Sequence, residues 1–357
     1  IMDTANPSVS EAVAPQKTTS PVLFSGKHGE FFGIWIVNLL LSIVTLGIYS
    51  AWAKVRTNQY FYGHTKIDGH SFRYLAKPMQ ILKGRIIAFA IFLLYTLASS
   101  FNPIAGMVLA FIFIFAMPWL VVQGLRFNMR MTSYRNVRFS FHGTYGDAFI
   151  HFILLPIVGA VTLYLAMPWV MKRIDQFMLN NITYGGKPLS VNSRTGTYYK
   201  AAFAVLGASL VVGLLFVSVI GVNLSGFADP NAAPSIPMFV GLMLGYWVAF
   251  SLIGAIYQSI IRNHLFSVME IEDVASFTSK TDVISLAWLN LSNALIVVCT
   301  VGFGYPIAKI RKAQYLSDKT DVHIEAQAAS IIDEISANPA AFGEEAADFF
   351  DVDLSLA

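Results

Sequence analysis

The stretch IVTLGIYSAWAKVRTNQYFY, residues 43–62, ends an apolar run with a motif of arginine, glutamine and an aromatic residue: Arg56, Gln59 and Tyr60. The same motif follows two later apolar runs, as Arg173, Gln176 and Phe177 and as Arg311, Gln314 and Tyr315. When the three arginines are aligned, a threonine lies eleven residues before each of them, at Thr45, Thr162 and Thr300. Matches at several positions in three copies indicate internal duplication.

The duplication predicts the domain organisation of the chain. Three repeat units, separated by two helical hairpins, form a repeat-built transmembrane domain over residues 23–320. The units cover about 24–75, 141–191 and 277–320, and the hairpins cover about 84–130 and 201–262. A disordered N-terminal segment, 1–22, precedes the domain, because it is rich in Ser, Thr, Pro and Ala and has no signal-peptide pattern. An acidic C-terminal tail, 321–357, follows the domain.

The composition is that of a membrane protein. Hydrophobic residues make up 55% of the chain and charged residues 13%, whereas a soluble globular protein has roughly 25% charged residues. Seven stretches reach or approach the roughly 20 apolar residues that a spanning helix needs: 31–53, 86–101, 104–125, 149–171, 201–223, 237–261 and 283–308. We therefore predict an all-α polytopic membrane protein with internal repeats.

Short polar segments between the apolar stretches predict small β hairpins at the cytoplasmic surface. The segment TKIDGHSFRY, 65–74, places Asp-Gly between residues that favour strands, and ITYGGKPLSV, 182–191, places Gly-Gly there. Both dipeptides favour the tight turn of a hairpin, because both central residues must take positive φ. The segment TSYRNVRFSF, 132–141, has a weaker form of the pattern. Because an isolated hairpin is marginally stable, we expect the hairpins to pack on one another or on lipid headgroups.

The charge distribution leaves two topologies for the repeat units. If each unit crosses the membrane once, the chain makes seven spans, and the basic segment 172–200 faces the outside, against the preference for cytoplasmic Lys and Arg. If each unit enters and returns on one side, all basic segments face the cytoplasm, and the turns at 99–103 and 223–237 face the outside. The second topology requires a bend within each unit. Polar or flexible residues lie where the units would bend, namely Thr45 and Gly47, Pro156 and Gly159, and Gly302 and Gly304. Irregular backbone at membrane depth survives only where protein or water covers it.

The stretch GEFFGIWIVNLLLSIVTLGIYSAWAKVRTNQYFYGHTKIDG, residues 29–69, resembles the bacterial YjgN family. Members of that family are inner-membrane proteins of unassigned function. The resemblance extends over about 24–320 and does not include the acidic tail. It implies a multi-pass protein of the bacterial inner membrane, and it supplies no catalytic residues that can be transferred to this chain.

The repeated motif supplies candidate binding residues. A guanidinium donates hydrogen bonds in a fork that suits phosphate, glutamine adds a neutral donor and acceptor, and an aromatic ring suits the membrane interface. The motif therefore predicts binding of anionic lipid heads or an anionic solute by Arg56, Gln59, Arg173, Gln176, Arg311 and Gln314. The alternative is a boundary belt, in which arginines extend toward water and aromatic residues mark the interface.

Polar residues within the apolar stretches are candidates for lining a path through the membrane. Asn38 and Asn293 each lie eighteen residues before a motif arginine. Together with the repeated threonines they form the predicted path-lining set Asn38, Thr45, Thr162, Asn293 and Thr300. The alternative is that they hydrogen-bond helix to helix or cap a break. The apolar stretches contain no carboxylate, which weighs against an ion-coupled pump.

The sequence predicts no cofactor, no metal site and no catalytic residue. Cys299 is the single cysteine, and the spacing of the histidines that flank the membrane requires no metal. No motif of a known catalytic class is present, so an enzyme is not expected, although the sequence leaves the question open. The expected partners are the lipid bilayer, anionic lipids and a protein partner of the acidic tail, and nucleic acid is not expected. The oligomeric state stays open.

The acidic tail and the basic body leave the function between two alternatives. The tail mixes acids with apolar residues, as in SIIDEI at 330–335. It predicts either a short helix, docked on a basic partner or on the protein's own arginines, or a solvated tail. The repeats favour a transporter or pore for a small anionic or neutral solute. The lack of charges in the apolar stretches favours a non-transporting membrane organiser, which binds anionic lipid heads or a protein partner through its basic cytoplasmic face.

Overall fold

A computed structural model describes residues 17–227 and 236–337. Its α-helices are α1 (His28–Val44), α2 (Ser50–His64), α3 (Pro78–Phe101), α4 (Pro103–Arg130), α5 (Tyr145–Phe149), α6 (Leu155–Val161), α7 (Met167–Asn180), α8 (Thr195–Phe227), α9 (Ile236–Ser267), α10 (Val283–Cys299), α11 (Tyr305–Asp318) and α12 (Ala328–Ala337). A π-helical turn, Ile150–Leu154, joins α5 to α6. Residues 1–16 of the predicted lead-in, 228–235 of the predicted turn and 338–357 of the tail lie outside the described residues.

The strands are short and are distributed along the whole described chain. They are β1 (Thr18–Pro21), β2 (Leu23–Phe24), β3 (Thr65–Ile67), β4 (His70–Tyr74), β5 (Thr132–Tyr134), β6 (Val137–Phe141), β7 (Ile182–Tyr184), β8 (Lys187–Val191), β9 (Met269–Ile271), β10 (Ala275–Ser279) and β11 (Thr320–Ile324). β1 lies within the stretch assigned to the lead-in, and β11 begins at the boundary assigned to the tail.

The chain alternates between helical excursions and strands. The excursions are α1–α2, α3–α4, α5–α7, α8–α9 and α10–α11, and each of them leaves one strand and returns to another. A β hairpin follows each of the first four excursions, and the single strand β11 follows the fifth. All of these strands belong to one sheet. The two ends of every excursion therefore meet the same sheet.

The sheet is antiparallel and nearly closed. Its eleven strands follow the order β1-β11-β10-β9-β8-β7-β6-β5-β4-β3-β2. β1 and β2 are separated by a single residue, Val22, yet β1 pairs with β11 and β2 pairs with β3. The backbone N–H of Val22 donates to the carbonyl of Thr320 at 3.1 Å. The two edge strands of the sheet, β1 and β2, are thus consecutive in the chain, which brings the edges of the sheet together and gives it a barrel-like form.

The predicted all-α fold with small β hairpins at its surface is wrong, because the hairpins join into one eleven-stranded sheet. Strands do form at 65–74, 132–141 and 182–191, but β4 also pairs with β5, β6 with β7, and β8 with β9. A lone hairpin leaves two edges of unpaired N–H and C=O groups, and its few residues bury little apolar surface. Joining the hairpins edge to edge satisfies these groups and creates an interior. The result is a continuous sheet carried by a largely helical chain.

The interior of the sheet is apolar. Side chains alternate along the strands, so that Val137 of β6 is buried while its neighbour Arg138 is exposed. The buried side chains of six strands form one cluster, which also includes Ala328 and Ile332 of α12. Asp333, the next residue of α12, pairs with Arg135 at 3.1 Å. The tail segment thus docks as a short helix on an arginine of the protein itself, one of the alternatives predicted from its sequence.

Four helices among the described residues are long and apolar enough to cross a membrane. They cover Pro78–Phe101, Pro103–Arg130, Thr195–Ser218 and Val240–Ser267, and they belong to the two predicted helical hairpins. The apolar helices of the repeat units are shorter, and each ends at a break. Because both ends of each unit meet the same sheet, the geometry has the form of the entering-and-returning topology.

Each repeat unit breaks at its repeated threonine. The two residues that follow each threonine take positive φ: Leu46 and Gly47, Leu163 and Tyr164, Val301 and Gly302. The backbone N–H of Gly47 donates to the carbonyl of Ser42, and that of Gly302 to the carbonyl of Val297, each at 2.7 Å. These bonds follow the pattern of a Schellman C-cap, which satisfies the last carbonyls of a helix.

The threonine hydroxyl completes the break. In the second unit, Oγ1 of Thr162 donates to the carbonyl of Val158 at 2.9 Å and accepts from the backbone N–H of Ala166 at 3.1 Å. In the first unit, Thr45 donates to the carbonyl of Leu41 and accepts from the N–H of Tyr49. In the third unit, Thr300 donates to the carbonyl of Ile296 and accepts from the N–H of Gly304. The hydroxyl connects the last turn of one helix to the first turn of the next. The hydroxyl thus supplies hydrogen-bond partners to a backbone carbonyl and a backbone N–H at the break, and such groups are unfavourable when they lack a partner away from water.

The tips of the breaks are apolar and exposed. Leu46 is 95% exposed, Leu163 83% and Val301 87%. An apolar side chain that projects fully from the protein is costly in water and favourable in hydrocarbon. The threonine and C-cap bonds satisfy backbone groups at the same place, which lowers the cost of exposing the irregular backbone of these tips to hydrocarbon.

Replacing Thr162 by valine is expected to lower the free energy of unfolding by about 1 kcal/mol, the usual value of a helix-capping side chain. Valine keeps the shape and removes the acceptor for the N–H of Ala166. The measurement is chemical unfolding of the full chain in detergent micelles. The control is Thr96→Val, because Thr96 donates to the carbonyl of Leu93 within α3 and caps no break. Equal losses in the two variants would contradict the capping role.

Candidate functional site

Arg56 and Gln59, two of the predicted binding residues, line a groove of about 680 Å³. Its walls come from α2, from β4 and from the segment that leads into α3. Three of its lining side chains are cationic, namely Arg56, Arg73 and Lys77, and all three are exposed. We refer to this site, defined by Arg56, Gln59, Arg73 and Lys77, as the basic groove.

Helical periodicity places the α2 side of the basic groove. Trp52, Arg56, Gln59 and Gly63 follow one another at intervals of four, three and four residues, so they lie on one face of α2. Ala51 and Val55 lie on the adjoining side of α2 and are buried with Tyr74 in an apolar cluster, and Val55 also lines the groove. Burial of the apolar face therefore fixes the rotation of the helix that presents Arg56 and Gln59.

Strand alternation and a helix start place the other side of the basic groove. In β4, Tyr74 is buried while Arg73 is exposed, and Nη1 of Arg73 donates to Oδ1 of Asn136 at 3.1 Å. Lys77 is the N-cap of α3, and its backbone N–H donates to Oε1 of Gln80 at 3.0 Å. The start of α3 lies at the groove with no acidic residue in its first turn.

The electrostatic character of the basic groove is positive. Among the described residues that line it, three are cations and none is acidic. Exposed N–H groups at the start of a helix add a partial positive charge. From residue 54 to residue 85 the sequence contains seven Lys or Arg and one acid, Asp68. The groove is therefore suited to an anion, and its Trp52 offers an aromatic contact beside it.

The three motif arginines have different environments. Arg56 lies 5.9 Å from the ring centre of Tyr49, and Arg173, also exposed, lies 5.6 Å from the ring centre of Trp169. Arg311 instead donates from Nη1 to Oδ1 of Asn293 at 2.8 Å and from Nη2 to Oγ of Ser292 at 3.0 Å. The structure therefore does not gather the three arginines into one site, and Arg311 is engaged within its own unit.

The motif glutamines also differ. Gln59 is exposed in the basic groove. Nε2 of Gln314 donates to the carbonyl of Gly26 at 3.4 Å, which joins the third unit to the start of the first. Gln176 is half-buried on α7 and lies outside the groove. Of the six predicted binding residues, two thus lie together in the groove.

In the first and third units, the tyrosine of the motif joins the beginning and the end of the unit. The second unit has Phe177 at this position, which has no hydroxyl. The hydroxyl of Tyr60 accepts from the backbone N–H of Lys27 at 2.8 Å, and that of Tyr315 accepts from the backbone N–H of Asp282 at 3.2 Å. Lys27 and Asp282 are the N-caps of α1 and α10. The separation is 33 residues in both cases. The sequence analysis placed these rings at the membrane interface and did not predict that they contact the helix N-caps. The constant separation of 33 residues between the ring and the N-cap could have indicated this contact.

Four of the five predicted path-lining residues form hydrogen bonds within the protein. The three threonines cap the breaks, and Asn293 bonds Arg311 and the carbonyl of Ala308. Asn38 is buried, and its amide atoms have no hydrogen-bond partner among the described residues. None of the five lines the basic groove or the cavity inside the sheet. In the described ranges no cluster of His, Cys, Asp and Glu side chains has the form of a metal site.

Comparisons with known proteins place the chain among bacterial membrane proteins. A family model described as a bacterial protein of unknown function, DUF898, matches residues 19–349. The chain is 25% identical over 346 residues to the inner membrane protein YjgN of Salmonella typhimurium strain LT2, with 84% of this chain and 88% of that protein covered. It is 23% identical over 337 residues to the inner membrane protein YjgN of Escherichia coli K12, with 81% and 84% covered. No solved structure matches the chain.

Proposed function

The chain belongs to the DUF898 family of bacterial proteins, and from that premise we propose that it binds anionic lipid headgroups in its basic groove. It is a multi-pass protein of the bacterial inner membrane, the location printed in the names of its relatives. The proposed role is that of a non-transporting membrane organiser. The observation that carries the proposal is the convergence of Arg56, Arg73 and Lys77 in one groove that contains no lining acid among the described residues.

The chemistry of the basic groove supports a lipid phosphate as its ligand. Arginine presents a planar fork of donors that matches two phosphate oxygens, whereas lysine supplies a compact point charge. Gln59 supplies a neutral amide that suits the hydroxyl or ester oxygens beside a lipid phosphate. A cation near the surface of an anionic membrane contributes about 1 kcal/mol, so three of them give a useful affinity without any deep pocket.

The position of the basic groove supports a lipid rather than a dissolved anion. α2 begins beside the exposed apolar tip of the first unit and ends at β3 of the sheet. α3 begins at Pro78 and has Lys83 and Arg85 before its uninterrupted apolar run. The groove thus lies between the sheet and the apolar ends of two helices, the level at which headgroups meet a membrane protein.

Transport of a small anionic or neutral solute is the second candidate function. Its support is the internal repeat, because many transporters are built from repeats with a site at the repeat interface. The five predicted path-lining residues give it little support, since the three threonines and Asn293 bond neighbouring groups of their own units. We therefore place headgroup binding first.

Replacing Arg56 by glutamine is expected to weaken binding of a short-chain phosphatidylglycerol roughly fivefold, because one surface cation contributes about 1 kcal/mol. The measurement uses the full chain in neutral detergent and follows the rise of its unfolding temperature with added lipid. Phosphatidylcholine of the same chain length reports the contribution of the tails. Inorganic phosphate as a competitor distinguishes a lipid headgroup from a free phosphate.

The matched control is Lys66→Gln, which removes the same charge from an exposed lysine of β3 outside the groove. Its affinity for phosphatidylglycerol is expected to stay within about twofold of the unchanged chain, since a surface charge outside the site acts only through screened long-range attraction. Equal weakening in the two variants would show that net charge, not the groove, attracts the lipid. Protein-dependent efflux of a small anion from proteoliposomes would instead support transport.

A further inference from the structure

The interior of the sheet contains a second candidate site, separate from the basic groove. Its cavity has a volume of about 340 Å³, within the range of about 300–1,000 Å³ of small-molecule sites. Inward-facing apolar side chains of the strands form the wall, among them Phe139, Leu189 and Ile271. Met129 and Leu179, from the ends of α4 and α7, also line it, so the cavity adjoins the ends of helices from two excursions.

The polar groups of the cavity wall are already satisfied. The hydroxyl of Tyr134 donates to the carbonyl of Ile67 at 2.8 Å, and that of Tyr184 donates to the carbonyl of Tyr134 at 3.0 Å. Burial raises the pKa of Tyr134 to about 12 and raises the pKa of Tyr184 further, so both rings are neutral at physiological pH. Within the described part of the chain, Arg135 is the one charged side chain that lines the cavity.

Two adjacent residues of α12 place an apolar side chain in the cavity and a carboxylate at its rim. Ile332 lines the cavity and is buried, while Asp333 places Oδ1 3.1 Å from Nη2 of Arg135. An apolar group thus lies inside and a carboxylate lies on the guanidinium at the rim. A single-chain anionic amphiphile, such as a fatty acid, has the same two features in the same order.

The contacts of α12 are weak enough to be displaced. Its ten residues are too few for a stable isolated helix. The side chain of Asp333 is 73% exposed and that of Arg135 19%, so water reaches the ion pair from the side of the carboxylate and screens it. Burial of Ala328 and Ile332 is therefore the main contribution that holds α12 on the sheet. A ligand that buries a longer apolar chain in the same interior would compete with it.

We propose that the cavity binds the acyl chain of an anionic amphiphile, with the head on Arg135, and that α12 competes for both positions. The membrane is the source of the ligand, because the cavity adjoins the end of α4, one of the four described helices that are long and apolar enough to cross a membrane. α12 lowers the apparent affinity in proportion to the fraction of time for which it is docked. This site shares no residue with the groove apart from the wall residue Phe72, and it does not depend on headgroup binding there.

The test uses the full chain in nanodiscs and dodecanoate with a photoreactive group at the end of its chain. After illumination, modified peptides are identified by mass spectrometry. The expected adducts lie on cavity residues such as Leu189 and Met269. Ile332→Ser is expected to bind about tenfold more tightly, because it removes the buried side chain that competes with the ligand. The matched control, Ser330→Ala on the exposed face of α12, is expected to bind like the unchanged chain.

Two further variants keep the proposal falsifiable if Ile332→Ser destabilises the protein. Ala275→Leu fills the cavity without touching the ion pair and is expected to abolish the adducts on strand residues. Arg135→Gln is expected to remove the preference for dodecanoate over the matching alcohol. Adducts confined to residues of α3, α4, α8 and α9 outside the cavity, or adducts unaffected by Ala275→Leu, would overturn the proposal. Arg56→Gln is expected to leave the adducts unchanged, which separates this result from the fate of the basic groove.

Discussion

Replacing Asn293 by leucine is expected to lower the free energy of unfolding by about 2–3 kcal/mol. The side chain of Asn293 is 8% exposed, its Oδ1 accepts from Nη1 of Arg311, and its Nδ2 donates to the carbonyl of Ala308 at 3.2 Å. Leucine has a similar volume and neither donor nor acceptor. A hydrogen bond to a charged group contributes about 1.5–3 kcal/mol, and a buried group left without its partner bears the full cost of desolvation.

The repeat supplies an unusually close control for this variant. Asn38 occupies the equivalent position, eighteen residues before Arg56. It is 4% exposed and its amide atoms have no partner among the described residues. Asn38→Leu is therefore expected to leave stability unchanged or to raise it, because burying an unpaired amide is unfavourable. The measurement is chemical unfolding of both variants in the same detergent, and a loss of similar size in both would contradict the assignment.

Replacing Gly143 by alanine is expected to lower the free energy of unfolding by about 2–3 kcal/mol, toward the upper end of the cost of overpacking a core. A Cβ at this position would lie 2.5 Å from the ring of Phe141 and 3.0 Å from the ring of Phe177. Each ring is 4% exposed and both belong to one buried cluster, so neither has free space to move into. Unfolding of the full chain in detergent measures the loss.

Gly146→Ala is the control for this substitution. Gly146 lies in α5 of the same unit, and its nearest neighbour to an added Cβ is 4.0 Å away. The variant is expected to be as stable as the unchanged chain or slightly more stable, because alanine favours helix over glycine by about 1 kcal/mol. If Gly143→Ala were as well tolerated as Gly146→Ala, the close packing of the two phenylalanine rings on Gly143 would be disproved.

Local signals in the sequence predicted local structure well. The Asp-Gly and Gly-Gly dipeptides correctly predicted turns, and in the structure Gly69, Gly185 and Gly186 take positive φ. The hairpin β9–β10 has Asp273 at its turn with positive φ and no glycine, so it lacked the strongest signal. The bends of the first and third units were predicted at Thr45 and Gly47 and at Gly302 and Gly304, and the structure breaks the helices there. In the second unit the bend was predicted at Pro156 and Gly159, whereas α6 continues through both and the break follows Thr162.

The closed sheet was beyond such signals. Its strands contain two to five residues, too few for a clear alternation of apolar and polar side chains. The pairs that close it join residues far apart in sequence, such as Thr18 with Ile324. Nothing local in the segment around Thr18 indicates a partner at that distance. Its composition, rich in Ser, Thr and Pro, predicted disorder instead.

The candidate site was predicted in part. The repeated motif identified Arg56 and Gln59, which line the basic groove. Arg73 and Lys77 were missed because they lie on a strand and at a helix start outside the motif, although the density of cations from 54 to 85 was a visible signal. Identical motif residues also acquire different partners, as Arg311 shows, because the neighbouring elements of the three units differ. A repeat therefore predicts which residues occupy equivalent positions, but the neighbouring elements determine which partners each of these residues contacts.

The closure of the sheet has a consequence for the order of events during synthesis. β1 has no partner until β11 exists, and β11 follows all five helical excursions in the sequence. All five must therefore be synthesised before the last two registers can form. A ribosome that stops earlier leaves β1 and the newest strand with open edges, which favour pairing with other chains. β11 is thus the last strand to be synthesised, and the sheet closes only after β11 has paired with both β10 and β1.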